Sequence, residues 1–202
     1  MRKSPYQKAK AVEKLFSRLD ADIQKFYSKS SMRCLVGCGK CCTKPNIDAT
    51  VLEFLPLAMH YYMRGQAEQK LEDLQVKDSL CHNFSLTSEE VGSGFCQNYN
   101  YRGLICRLFG ASAAEAKGNK LKIYTCNIIK ESQPEAFQKT TAEINEENFA
   151  PVVSHYYRQL ANIDPDLARN YYPINEATKK ALEFILHYYA YRKPPKGFKK
   201  AA

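Results

Sequence analysis

The sequence predicts an α+β fold, a mainly helical domain with a small antiparallel β-hairpin layer and a cysteine-rich loop. Apolar residues recur at three- and four-residue steps near both ends of the chain, whereas short β-like runs occupy its middle. Four cysteines also crowd into the nine residues Cys34–Cys42. A length of 202 residues suits a single domain over residues 1–202. Its expected parts are a cysteine-cluster core at 33–126, supporting helices at 1–32 and 133–192, and a disordered basic tail at 193–202.

The first predicted helix runs from Pro5 to Ser30, because six apolar residues follow the helical period there. They are Val12, Leu15, Phe16, Leu19, Ile23 and Phe26. After the cysteine loop, Asp48 or Thr50 is expected to cap a second helix, which stops at Gly65. Pro56 either kinks this helix or starts its main part.

Short runs in the middle of the chain predict two β-hairpins after a short polar helix at about Glu68–Gln75. The first hairpin pairs Cys81–Leu86 with Gly94–Asn98, on either side of a polar stretch. The second spans Phe109–Tyr124 and turns at Gly118–Asn119, since both residues tolerate the backbone angles of a tight turn. These hairpins are the expected β-layer.

The last third of the chain is predicted to be helical again beyond Pro134. Apolar and tyrosine residues follow the helical period in Phe149–Ile163 and from Ala181 to Tyr189. Asn175 is expected to cap the final helix, because a short polar side chain can accept a hydrogen bond from the first turn.

The composition and the charge distribution of the chain limit its expected cellular location and the classes of partner that it can bind. Arg2 and Lys3 lead directly into charged, helix-period sequence with no signal-peptide core, so the expected location is cytoplasmic. No apolar run reaches membrane-spanning length, which excludes a membrane partner. The formal net charge is +9, yet Lys and Arg are spread along the chain, and this argues against nucleic acid. A protein or redox partner of unknown identity is expected, and oligomeric state is not predicted.

The loop that carries Cys34, Cys38, Cys41 and Cys42 predicts metal binding. Cytoplasmic thiols stay reduced, so a disulfide framework is not expected. Glycines between the cysteines let thiolates turn inward around a metal, and three thiols on one loop suit three corners of a cubane. Zinc more often takes two ligands from each of two knuckles. The spacing therefore favours an iron-sulfur cluster, 4Fe-4S above all, with zinc as the alternative, and it makes 33–126 a metal-binding core.

Four further cysteines, Cys81, Cys96, Cys106 and Cys126, complete a set of eight candidate ligands. Eight thiols suit two four-cysteine sites, whereas the opposite extreme is one site and four structural thiols. Cys106 is the favoured remote ligand, because Arg102 and Arg107 bracket it. A thiolate cluster is negatively charged, so these two arginines are expected to stabilise it as outer-shell groups.

The order and spacing of these residues resemble a known family. Cys34-x3-Cys38-x2-Cys41-Cys42, then Cys81, Cys96 and Arg102-x3-Cys106-Arg107-Leu108-Phe109, are similar to the YkgJ-like bacterial cysteine-cluster proteins, a zinc- or iron-chelating domain of CxxCxxCC type. The resemblance covers about residues 33–126. At two positions where that family usually has proline, this chain has Gly103 and Gly110. The resemblance implies metal chelation, with no established activity for most members.

Two enzymatic alternatives remain open. Flagellin lysine N-methylases carry a similar cysteine cluster, which suggests methyl transfer, but this chain has no glycine-rich nucleotide loop of the usual kind. The spacing C-x3-C-x2-C is also that of radical S-adenosylmethionine enzymes, which place it after a strand of a parallel barrel. Here a long helix precedes the motif. Whether the protein is an enzyme is therefore not predicted, and no catalytic residue is assigned.

Overall fold

The computed structural model describes residues 3–44, 46–75, 80–88 and 93–199. These residues form eight α-helices and six short strands, which confirms the mainly helical α+β class. The helices are α1 (Pro5–Lys29), α2 (Leu55–Met63), α3 (Ala67–Asp73), α4 (Leu104–Leu108), α5 (Asn127–Ser132), α6 (Pro134–Glu147), α7 (Val153–Ala161) and α8 (Ile174–Tyr189). The strands are β1 (Asp48–Thr50), β2 (Phe84–Ser88), β3 (Ser93–Cys96), β4 (Ser112–Glu115), β5 (Leu121–Tyr124) and β6 (Tyr171–Pro173).

The chain divides into two compact units. The first comprises Met1–Glu13, Gly37–Gly103 and Leu160–Ala202, and the second comprises Lys14–Val36 and Leu104–Gln159. The single domain expected over residues 1–202 stays a prediction.

The core of the first unit lies between α2 and α8. The face that α8 buries follows the helical period, with Ala177, Ala181 and Ile185 fully buried. A 3-10 turn at Val51–Phe54 precedes α2, and Thr50 starts it through a capping box with Glu53. Pro56 lies in the first turn of α2, so it starts the main part of this helix and does not kink it.

Two short antiparallel pairs organise the rest of the first unit. Strand β1 pairs with β6, which the sequence did not predict because the partner lies more than a hundred residues away. Strands β2 and β3 form the first expected hairpin, with Phe84 opposite Cys96 and Leu86 opposite Gly94. The polar stretch between them falls largely outside the described residues.

The second unit contains the second expected hairpin and the helices that follow it. Strands β4 and β5 pair in register from Ser112 with Tyr124 to Glu115 with Leu121. Gly110 precedes β4 with φ +85°, a backbone angle that the ring of proline forbids, so the glycine there changes the local turn. Among described residues all three sheets are antiparallel pairs, unlike the parallel barrel of the radical-enzyme alternative.

Two expectations near the C-terminus differ from the structure. The cap position of α8 is Pro173, and the predicted cap Asn175 instead binds a neighbouring loop, which makes that prediction wrong. The tail, expected to lack structure, makes ordered contacts up to Lys199. The ring of Phe198 stacks on Tyr62 at a centroid distance of 4.9 Å, since one aromatic residue supplies the apolar surface that the charged residues lack.

None of the helices in the described part of the chain combines the length and the apolar character needed to cross a membrane.

Candidate metal centre

Three cysteines of the first unit lie on one tight turn. The turn closes through a hydrogen bond from the Cys42 amide to the Gly39 carbonyl, 2.8 Å long. It sets the sulfur atoms of Cys41 and Cys42 4.0 Å apart. Cys38 precedes them on the same turn, and Cys41 is the most exposed of the three. The turn therefore presents neighbouring thiols close to solvent.

The β2–β3 hairpin and its leading loop add two more thiols to this turn. The Cys81 amide donates a hydrogen bond of 2.9 Å to the Cys42 carbonyl, and the Gly94 amide donates one of 3.0 Å to Gly37. Cys96 ends β3, opposite Phe84. The charges of Cys41 and Cys96 both influence the pKa of Cys81. The first unit thus brings Cys41, Cys42, Cys81 and Cys96 together, with Cys38 on the same turn.

Backbone amides point at the two hairpin sulfurs. The amide of Asn83 donates a hydrogen bond to the Cys81 sulfur, and the amide of Asn98 donates one to Cys96, whereas the Phe84 amide donates at 2.8 Å to the Cys81 carbonyl. Hydrogen bonds of this kind favour the thiolate, which is the form that binds a metal. In each case the donor to sulfur is an asparagine two residues after the cysteine. This repeated Cys-x-Asn pattern, at Cys81–Asn83 and Cys96–Asn98, is a sequence signal for the site that spacing between cysteines does not include.

The thiols differ in how readily they ionise. A hydrogen bond from Cys42 lowers the pKa of Cys41 to about 6, and backbone amides and the Arg102 charge act in the same direction. Burial raises the pKa of Cys81 to about 11, and it also raises the pKa of Cys96. Cys41 is therefore the thiol that ionises most readily among these three, whereas Cys81 and Cys96 would have to release protons to act as ligands.

A buried polar triad supports the hairpin beside these sulfurs. The Asn98 amide nitrogen donates to the Tyr61 hydroxyl at 2.8 Å and to the Asn83 carbonyl oxygen at 2.9 Å. The Tyr61 hydroxyl donates to that same oxygen at 3.3 Å. Burial raises the pKa of Tyr61, and its proximity to Cys96 and Cys81 adds to the effect. The triad joins α2 to both cysteine-bearing ends of the hairpin.

Helix α8 holds the loop before the hairpin through Asn175. Its side-chain oxygen accepts a hydrogen bond from the His82 amide at 2.8 Å, and its nitrogen donates to the Leu80 carbonyl at 2.7 Å. These two bonds fix the backbone on both sides of Cys81. Periodicity and capping rules gave no indication of this role, because the partners are more than ninety residues apart.

The two arginines predicted beside the cluster have different surroundings. Arg102 lies in the first unit, and its charge lowers the pKa of both Cys41 and Cys96. Arg107 lies in the second unit, where its guanidinium pairs with Asp20 at 2.5 Å and sits over the ring of Phe16. The outer-shell role of Arg102 gains support from this arrangement, whereas Arg107 has a carboxylate partner of its own.

The remaining three predicted ligands belong to the second unit. Cys34 is exposed, Cys106 lies on α4, and Cys126 directly precedes α5. Both Cys106 and Cys126 are half-buried. Their assignment as ligands stays a prediction.

The donor set of the first unit fits a metal that prefers sulfur. Five thiols share the unit, amides are directed at two of them, and Arg102 adds positive charge to offset that of the thiolates. In the described part of the chain, no three histidine, cysteine or acidic side chains already converge on an ion-sized space. Metal binding therefore requires the thiols to rotate, which cysteine can do at low cost because only χ1 changes.

Comparison with known proteins agrees with this chemistry. Neither a search among curated proteins nor one among solved structures found a match. A family profile, however, matches residues 33–142, which is more than half of the 202-residue chain and includes all eight cysteines. It bears the description "putative zinc- or iron-chelating domain" and confirms the resemblance found in the sequence. The cysteine turn, the hairpin thiols and this match together establish that the chain is a metal-binding member of the CxxCxxCC family.

Proposed function

We propose that the protein binds an iron-sulfur cluster and uses it in electron transfer, sensing or metal handling. The observation that carries the proposal is that Cys41, Cys42, Cys81 and Cys96 are neighbours within the first unit, linked by the Cys41–Cys42 sulfur contact and by the hydrogen bond from the Cys81 amide to the Cys42 carbonyl. A cytoplasmic location, which the sequence predicts, keeps such thiols reduced and able to bind metal. None of the eight cysteines, all of which lie in the described part of the chain, forms a disulfide.

The supply of thiols favours iron over zinc. One turn carries Cys38, Cys41 and Cys42, and the hairpin adds Cys81 and Cys96. A structural zinc site is complete with four ligands and usually draws two from each of two knuckles. Five thiols in one unit exceed that need, whereas clusters commonly take several ligands from a single loop.

The position of the thiols near solvent supports a function in which electrons or metal ions are exchanged with a partner. Cys41 is exposed, and Cys38, Cys42, Cys81 and Cys96 are all half-buried. A site whose only purpose is to stabilise the fold is normally closed by four ligands. Electrons or metal ions can reach an accessible cluster at this turn without opening the core.

One distance favours zinc as the second candidate. Metal–sulfur bonds of ~2.3 Å in a tetrahedral site place neighbouring sulfurs ~3.8 Å apart. The sulfurs of Cys41 and Cys42 are 4.0 Å apart, close to the edge of such a tetrahedron. A zinc-stabilised interaction module would use this pair on a single ion.

Metal analysis of anaerobically purified full-length protein distinguishes these candidates. We expect a coloured protein that contains iron and acid-labile sulfide, with visible charge-transfer absorption and an electron paramagnetic resonance signal after reduction. A colourless protein with stoichiometric zinc and no iron after expression in iron-replete medium would contradict the iron-sulfur proposal and support the zinc candidate.

Cysteine variants test which thiols hold the metal. Cys41→Ser and Cys81→Ser should each abolish metal retention, because a hydroxyl is a poor ligand for a thiophilic ion. Cys126→Ser in the second unit is the matched control and should have a smaller effect. Full metal content in both first-unit variants would remove the basis for this site, and circular dichroism would verify that each variant folds.

A further inference from the structure

A cavity of about 420 Å³ in the first unit opens widely to solvent, and no cysteine lines it. The start of α1 and the C-terminal end of α8 line it together with the segment that follows α8. Its nine lining residues are Ser4, Tyr6, Gln7, Tyr188, Tyr189, Arg192, Lys193, Pro195 and Lys196. Three of these are cations, three are tyrosines, and no aspartate or glutamate is among them.

Among the described residues, no acidic side chain pairs with the three cations around this cavity. None of the ion pairs between described side chains involves Arg192, Lys193 or Lys196. Arg192 is held in place, since its guanidinium lies 4.3 Å from the centre of the Tyr188 ring and donates a hydrogen bond of 3.2 Å to the Tyr188 carbonyl. Unpaired positive charge around one concavity attracts an anion.

The tail that supplies two of the cations is anchored to the unit. The ring of Tyr62 stacks on Phe198 and on Tyr189, with both centroid distances 4.9 Å. The Lys199 amide also donates a hydrogen bond of 2.9 Å to the Met63 carbonyl. These contacts hold Phe198 and Lys199 against α2, so the tail is anchored at the residues that follow Lys193 and Lys196, and its backbone does not have to be ordered by a ligand.

The opposite wall of the cavity is ordered as well. The side chains of Ser4 and Gln7 cap α1 reciprocally, and the Tyr6 amide donates a hydrogen bond to the Tyr189 hydroxyl. Tyr6 and Tyr188 add aromatic surface. The cavity falls within the ~300–1,000 Å³ range of small-molecule sites.

We infer that this cavity binds a small phosphorylated molecule of nucleotide size. Phosphate oxygens meet Arg192, Lys193 and Lys196, because guanidinium and ammonium groups form strong charge-assisted hydrogen bonds with phosphate. The tyrosines provide the apolar contact that a sugar or a base needs. This inference is independent of the metal proposed above and of its identity.

Isothermal titration calorimetry of the full-length protein with ADP, and separately with inorganic phosphate, tests the site. We expect ADP to bind more tightly than phosphate, since it contacts both the cations and the tyrosines. The double variant Arg192→Gln/Lys196→Gln should weaken ADP binding at least about tenfold, because two charge-assisted hydrogen bonds are lost. Lys196→Gln alone should show a smaller loss and leaves the contact between Arg192 and Tyr188 intact.

The control removes the same charge elsewhere in the first unit. Arg169→Gln/Lys179→Gln changes an arginine and a lysine that do not line the cavity, and we expect less than about a twofold effect on ADP binding. If both double variants lost ADP affinity equally, the loss would come from the lower net charge of the protein and not from this cavity, and the inference would be overturned. No binding of ADP by the unmodified protein at millimolar concentration would overturn it too, as would binding of a single-stranded oligonucleotide but not of ADP.

Discussion

At the scale of single residues, the candidate centre depends on how the backbone approaches sulfur. Cys81 and Cys96 each receive an amide hydrogen bond from an asparagine two residues later, although burial raises the pKa of both thiols. The amides offset part of that desolvation, and a bound cation would offset the rest. Each hairpin thiol is thus protonated in the absence of metal, and its amide hydrogen bond is already in place to stabilise the thiolate that a metal would bind.

Gly39 permits the close approach between the cysteine turn and the hairpin. Its φ is +59°, and an added Cβ would lie 2.4 Å from the ring of Phe84. We expect Gly39→Ala to lower the free energy of unfolding by about 2–4 kcal/mol, from backbone strain and from overpacking. Metal retention should fall with it, because the turn carries Cys38, Cys41 and Cys42. Urea unfolding and metal analysis would measure both effects.

Gly37 provides the matched control on the same turn. Its φ is +70°, but an added Cβ meets no atom within 4 Å. Gly37→Ala should therefore cost only the backbone strain, about 1 kcal/mol. If the two variants were equally stable and retained equal metal, the contact between the turn and Phe84 would have no role in the centre.

At the scale of elements, α8 acts as a support for the hairpin region. Its buried face packs against α2, while Asn175 in its first turn binds the backbone on both sides of Cys81. The polar triad of Tyr61, Asn83 and Asn98 supports the hairpin from α2. Helices α2 and α8 thus hold in place the loop and the hairpin that position Cys81.

Asn175→Ala should weaken metal binding although every cysteine remains. Loss of both hydrogen bonds releases the backbone around Cys81, and removal of such supporting groups typically costs ~10–100-fold in metal affinity. Competition with a calibrated chelator would measure the affinity, and thermal unfolding would report stability separately.

Asn145 offers a control with the same geometry. Its side chain binds the amide and the carbonyl of Leu121 in the second unit, at 2.7 and 3.1 Å. Asn145→Ala should reduce stability by a similar amount and leave metal affinity unchanged. Equal affinity losses in the two variants would mean that Asn175 acts through general stability and not through Cys81.

At the scale of the whole molecule, the chain forms two compact units that share the cysteines unequally. Five thiols lie in the first unit and three in the second. Metal-binding energy stabilises the part of the fold that contains the ligands. We therefore expect removal of the metal to destabilise the first unit more than the second.

Amide hydrogen exchange before and after treatment with a strong chelator would measure this difference in stability between the two units. We expect amides in residues 37–44 and 93–98 to lose protection, since they hold or adjoin the proposed ligands. Amides of α6 in the second unit should keep theirs. Unchanged protection of the cysteine turn would contradict a metal site there, and equal loss in α6 would mean that the second unit also depends on the metal.

The fold class, the long first helix, both hairpins and the family could all be predicted from the amino-acid sequence. These features are local or depend on order: helical periodicity marks α1, turn residues mark the hairpins, and the spacing of Cys34, Cys38, Cys41 and Cys42 marks the cysteine loop. Pattern alone could not choose between two roles for Pro56, since proline is compatible with both a kink and a helix start.

Contacts between residues that are far apart in the chain became known from the three-dimensional fold. It paired β1 with β6, directed Asn175 to the loop around Cys81 instead of a helix cap, gave Arg107 the partner Asp20, and anchored Phe198 on Tyr62. It also placed Cys41, Cys42, Cys81 and Cys96 together in one unit. All of these contacts join residues that are distant in the sequence. Residue spacing predicts contacts within one helical turn or one hairpin, whereas long-range contacts depend on how the elements pack together in three dimensions.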